Sequence, residues 1–193
     1  MSRPSTPSQT VGPFLAIGLT WPGGDRVVPV GTPGAFWLRG QVLDGDGQPV
    51  PDGMVETWQV DQVAARDGTD APTPAPVPGS VAGSSSGFRG FGRSLTATDG
   101  SFAIHTVKPA RVPDGNGGWQ APHLDVSVFA RGLLARVVTR VYFADENDAN
   151  AADDVLGSLP AARRATLIAR QSDDGYRLDI VLRGPDESVF FAL

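Results

Sequence analysis

The sequence predicts an all-β fold, a β-sandwich of mixed and antiparallel strands with long loops and one short helix, and three observations carry that expectation. Glycine (24) and proline (17) together exceed a fifth of the 193 residues, a turn-rich composition. Short runs alternate apolar and polar side chains with a period of two, as a strand with one buried face requires. Asp-Gly steps punctuate those runs, and these residues tolerate the backbone of a tight reversal.

Ala35 to Leu43 is apolar, contains Phe36 and Trp37, and is followed by Asp44-Gly45-Asp46-Gly47, which reads as strand, turn, strand. Met54 to Val60 continues the alternation. A second hairpin is expected over Ser94 to Val107, turning at Asp99-Gly100, with Phe102, Ile104 and Thr106 alternating against Ala103, His105 and Val107. Leu124, Val126, Val128 and Ala130 form one apolar strand face, and His123, Asp125, Ser127, Phe129 and Arg131 form the other, mostly polar one. Ala135 to Phe143 and Tyr176 to Arg183 complete the strands. The single helix is expected over Pro160 to Arg170, with proline in its first turn and cations near its end. Asp67 to Gly90 holds Pro72, Pro74, Pro76, Pro78 and three consecutive serines, has almost nothing to bury, and reads as a long surface loop.

At 40% apolar residues, the chain can enclose one sizeable core, so a single domain over 1–193 is expected, with an N-terminal arm over about residues 1–20. A formal charge of −5 excludes a protein that tracks nucleic-acid phosphates. Absence of cysteine excludes disulfides, a thiolate nucleophile and zinc-thiolate sites. The apolar stretch Phe14 to Leu19 is too short for a signal-peptide core or a membrane span, so no membrane association and a cytoplasmic location are expected. Gly83-Ser84-Ser85-Ser86-Gly87 matches a nucleophile-elbow pattern but lacks the strand before and helix after that the elbow needs. Gly115-Asn116-Gly117-Gly118 matches neither nucleotide-binding fingerprint. The carboxylate pairs Asp145-Glu146, Asp153-Asp154 and Asp173-Asp174 read as solvated charge in turns, with no catalytic role. With only His105, His123, Tyr142 and Tyr176 available, no local metal cluster exists in the sequence.

Thr6-Pro7-Ser8-Gln9-Thr10-Val11-Gly12-Pro13-Phe14 resembles the opening segment of protocatechuate 3,4-dioxygenase subunits, members of the intradiol ring-cleavage dioxygenases. Collinear segments agree: Gly40 to Gly47, Glu56-Thr57-Trp58-Gln59-Val60-Asp61, Phe91-Gly92-Arg93, Thr106-Val107-Lys108-Pro109, Ala121 to Gly132, Thr139 to Phe143, Tyr176 to Gly184 and the Val189-Phe190-Phe191 tail. The resemblance spans nearly the whole chain.

The resemblance implies a ferric ion held in a homologous β chain by two tyrosinates and two histidines, hard donors suited to Fe(III). The matching positions here are Arg66, Val112, His123 and Asp125, so one ligand of four survives and the chain is expected to bind no metal and to be inactive alone. It also implies that Thr10, Gly12 and Pro13 in the arm, with Arg131, reach the shared substrate site across an α/β interface, Arg131 through its charge on an anionic substrate. The implied assembly, (αβ)n, would cleave 3,4-dihydroxybenzoate with O2 to 3-carboxy-cis,cis-muconate. Two rivals are a stand-alone β-sandwich binding module and a self-sufficient catechol-type intradiol dioxygenase, the latter needing its own four ligands.

Overall fold

Eleven strands and four short helices occupy the residues described by the computed structural model, which are 6–12, 14–61 and 87–192. In chain order the strands are β1 (Ala35–Leu43), β2 (Met54–Trp58), β3 (Phe91–Leu95), β4 (Ser101–Val107), β5 (Val112–Pro113), β6 (Trp119–Gln120), β7 (His123–Phe129), β8 (Val137–Phe143), β9 (Ile168–Ser172), β10 (Gly175–Arg177) and β11 (Ile180–Val181). β5 and β6 form a separate ribbon, and the other nine join in one sheet of order β11-β1-β10-β9-β8-β7-β2-β3, with β4 beside β1. The pairing is mixed: β1 lies parallel to β10 and β11, and β8 parallel to β9, while β7 is antiparallel to both neighbours.

The sheet folds over so that its two halves share one core. Leu38, Val42 and Phe102 from β1 and β4 pack with Val55, Leu124, Val126, Val128, Val141 and Phe143 from β2, β7 and β8. Each such side chain contributes about 1.5–3 kcal/mol on full burial. This is the sandwich that the alternation predicts.

Two details of the strand pairing differ from expectation. Both Asp-Gly turns form, and the first closes a short hairpin, Val50 N–H donating to the Val42 carbonyl at 2.9 Å beside an antiparallel bridge of Leu43 to Pro49, whereas the second joins no paired strands. At the first, Asp44 Oδ1 accepts from the backbone N–H groups of Asp46 and Gln48, at 2.9 and 2.8 Å. At the second, Asp99 Oδ1 accepts from Ser101 N–H at 3.0 Å. β2 pairs with β3 and β7, and β4 pairs with β1, so the chain changes layer after the first hairpin, between Val50 and Met54, and again at the second turn. Thr96 anchors this crossing, its hydroxyl donating to the Val50 carbonyl at 2.7 Å and accepting from Gly53 N–H at 2.8 Å. The expected strand over Tyr176 to Arg183 is likewise interrupted at Leu178-Asp179, where the Asp179 carboxylate accepts from Gln41 N–H at 2.9 Å in place of a ladder carbonyl.

The helical expectation also needs correction. There are four short helices, α1 (Leu15–Gly18), α2 (Asn147–Ala152), α3 (Asp154–Gly157) and α4 (Ala161–Ala165). The predicted helix ends at Ala165 because Leu167 is fully buried and Ile168 and Ala169 pair in parallel with Tyr142 and Phe143. The carboxylates read as solvated charge are partly structural. Asp153 is buried and caps α3, accepting from Leu156 N–H at 2.9 Å and from Ala121 N–H at 2.7 Å. Asp145 and Glu146 hold Lys108 at 2.6 and 2.9 Å. Burial opposes ionisation of Asp145, but hydrogen bonds from Lys108 and Tyr176 keep its carboxyl below the usual range. Most of the expected Asp67 to Gly90 loop lies outside the described residues.

Gly40 marks the tightest approach in the sheet: a Cβ there would stand 1.8 Å from the Leu178 carbonyl oxygen. Gly40→Ala is expected to cost about 3 kcal/mol or more, since neither backbone can move without breaking the β1 ladder. A denaturant midpoint equal to that of the unaltered chain would contradict this packing.

Candidate functional site

β7 carries the residues of interest at its two ends, which six strand steps separate by roughly 20 Å. Beyond its C-terminal end the chain reverses through Ala130 to Leu133, closed by Leu133 N–H donating to the Ala130 carbonyl at 3.2 Å. Gly132, the third residue of that turn, has φ +89°, a value that favours glycine. The N-terminal arm meets this turn: Gly132 N–H donates to Thr10 Oγ1 at 2.9 Å. Beside it Arg131 makes a salt bridge to Asp52 at 2.7 Å while its side chain stays 68% exposed. Gly12 has φ +66° and no atom within 4 Å of a built Cβ, so glycine serves the backbone there rather than packing. The structure therefore brings Thr10 to the Arg131 turn, two segments 121 residues apart in sequence. Pro13 lies outside the described residues, as does Arg66.

The other end of β7 holds His123 and Asp125, two of the positions that the resemblance matches to metal ligands. His123 is buried, with Nδ1 2.7 Å from the Ala121 carbonyl and its ring 5.3 Å, centroid to centroid, from that of Tyr142. A carbonyl only accepts, so Nδ1 carries the proton and Nε2 points a lone pair toward Asp125, 3.9 Å away. Burial, and then the charge of Arg140, push the imidazole pKa below its ordinary value. Val112, on β5 opposite Gln120, offers no donor atom. The Asp125 carboxylate is taken by Arg140 Nε at 3.1 Å, and Arg140 Nη1 donates to Gln120 at 2.8 Å and to the Tyr142 hydroxyl at 3.2 Å.

This donor set does not fit a ferric ion. A hard trivalent cation needs several anionic or imidazole donors. Here a guanidinium sits among the candidates, and a second cation would meet its repulsion. Among the described residues, no three His, Cys, Asp or Glu side chains gather at metal-holding distance. Arg140, Gln120, Tyr142 and Asp153 escape the sequence reading because they converge only through the β7–β8 register, which sets Asp125 opposite Arg140 and His123 opposite Tyr142. The opposite charges at positions 125 and 140 were the available signal, and they mean something only once that register is known.

Tyr142 is sealed in this cluster, and burial is the main reason its phenol is pushed up to about 12. Burial also raises Tyr176, the other tyrosine of the chain. An unfolded phenol ionises near pH ~10, so the folded state holds its proton longer and loses stability as pH rises from about 10 to about 12. Absorbance titration of the folded chain should show little phenolate at pH ~10, and Tyr142→Phe should flatten the alkaline loss of stability. Half-ionisation of both phenols at pH ~10 would contradict the burial.

A family model described as dioxygenase matches residues 25–184. The chain is 43% identical to the protocatechuate 3,4-dioxygenase alpha chain of Burkholderia cepacia, over 96% of each. It is 34% identical to the beta chain of the same enzyme from that organism, over 86% of this chain and 67% of the relative. The dioxygenase domain of a dioxygenase and carbohydrate-binding fusion from Streptomyces sp. SirexAA-E superposes with a TM-score of 0.55 at 24% identity, covering 93% of this chain and 98% of that one, a likeness of fold. The chain belongs to the dioxygenase family whose members include the protocatechuate 3,4-dioxygenase alpha and beta chains.

Proposed function

We propose that this chain is the non-metal-binding α subunit of a protocatechuate 3,4-dioxygenase, working only in complex with a homologous β chain that holds Fe(III). The complex inserts both atoms of O2 into 3,4-dihydroxybenzoate between its hydroxyl-bearing carbons and releases 3-carboxy-cis,cis-muconate. The separation of the two ends of β7 carries this reading. Arg131, with Thr10 bonded to the turn beside it, lies beyond the far end of β7 from His123, roughly 20 Å along the strand and too far to serve a centre at His123 within the same chain. The exposure of the Arg131 guanidinium supports a role in meeting an anionic substrate bound outside the chain.

The arm adds a second support. Seven large apolar side chains are exposed among the described residues, and Val11, Phe14, Ile17 and Leu19 are four of them, with Phe14 and Ile17 more than 70% exposed. Such a patch on one short segment marks a surface that a partner covers. In this reading Thr10, Gly12 and Pro13 of the arm contribute to the shared site.

Purification of the chain alone and with its β partner tests the assignment. Iron, a tyrosinate-to-iron visible band and oxygen uptake with 3,4-dihydroxybenzoate are expected only in the complex. Iron and oxygen uptake in the isolated chain would establish a self-sufficient catechol-type enzyme instead, and a folded chain with neither partner nor activity would point to a binding module. In the complex, Arg131→Ala should raise KM about tenfold or more, the worth of one charge-assisted hydrogen bond. An unchanged KM and kcat would remove Arg131 from the shared site.

A further inference from the structure

The ladder between β2 and β7 pairs Met54 with Phe129 and Trp58 with Asp125 without interruption. Continued two residues beyond Met54, the same register sets Asp52 opposite Arg131, and their side chains meet there at 2.7 Å. The two partners are unequal. Asp52 is 27% exposed and Arg131 68%, so the carboxylate is the enclosed member and the guanidinium the open one. The Asp52 backbone sits on a fixed frame, because Thr96 N–H donates to the Gly53 carbonyl at 2.9 Å while the Thr96 hydroxyl accepts from Gly53 N–H. On the facing side, the Thr10 hydroxyl and the Ala130 to Leu133 turn hold the backbone next to Arg131.

We infer that Asp52 is the positioning residue for Arg131, holding the guanidinium in the orientation that receives the anionic substrate. The inference rests on the reading of Arg131 as substrate-facing. A long side chain at a turn samples many rotamers, and anion binding must freeze them. A cross-strand carboxylate does this beforehand, so that less freedom is lost when the substrate arrives. The same carboxylate also draws on the positive charge that the substrate uses. Whether positioning or competition prevails is decided by the direction in which KM moves when the carboxylate is removed.

The test uses the reconstituted complex with the β chain, with assembly and iron content checked for each variant. Asp52→Ala is expected to raise KM for 3,4-dihydroxybenzoate roughly two- to fivefold with little change in kcat, the range of one cross-strand charge pair. Asp52→Asn, which keeps the shape and removes the charge, should move KM in the same direction, and Asp52→Glu should restore most of it. In an Arg131→Ala background, Asp52→Ala should add nothing. A lowered KM for Asp52→Ala would show competition and overturn the inference, as would an unchanged KM or an equal rise in the Arg131→Ala background. Silence of Arg131→Ala itself would instead remove the substrate-facing reading on which the inference rests. A raised KM for Arg131→Ala with a silent Asp52→Ala would leave that reading standing and reject only the role of Asp52.

Discussion

The pairing of β7 along both of its edges is the constraint on which the remainder depends. Its antiparallel ladders to β2 and β8 commit Leu124, Val126 and Val128 to the core. His123, Asp125 and Ser127 are thereby turned to the opposite face. Because strand side chains alternate, a slip of one residue would carry the apolar set out of the core, so the register is held by burial. That one register also brings Arg140 against Asp125, Tyr142 against His123, and Asp52 against Arg131. Both chemical ends of the strand are consequences of how its middle is buried.

A second constraint ties the N-terminal segment to this sheet. Arg93 and Glu56 form an ion pair with each side chain only 10% exposed. Arg93 also donates to the Leu19 carbonyl and lies over the ring of Trp21 at 4.9 Å. A buried ion pair of this kind adds little net stability over an apolar pair, and loss of either partner is costly because the other is left without its counter-charge. Its effect is to specify where the arm leaves the sheet. From that exit the arm carries Thr10 to the turn after β7 and leaves Phe14 and Ile17 facing outward.

The two ends of β7 also show how a shared architecture divides labour. At the His123 end a guanidinium, a carboxylate, an amide and a phenol satisfy one another. At the Arg131 end the cation has one carboxylate partner and remains largely open. Arginine suits both settings, since it stays charged whether half-buried or exposed and its planar fork bonds in several directions at once. The enclosed cation stabilises the chain against its own carboxylate, and the open one is available to another molecule.

The sequence by itself determined the class of fold and the positions of most strands. Period-two alternation and turn residues are local properties. It also placed Thr10, Gly12, Pro13 and Arg131 as the residues to watch, through the match of their segments to a family. Tertiary structure alone decided which strands pair. The Asp99-Gly100 turn read as a hairpin became a layer-changing corner, because burial of both halves of the sheet outweighs adjacency in the chain. The Leu167-Ile168 pair read as helix became the entry to β9 for the same reason. The partners of Arg131, His123 and Asp153 were hidden likewise, since each lies across a strand pair or a fold of the chain, and side chains far apart in sequence meet only after the core has chosen its register.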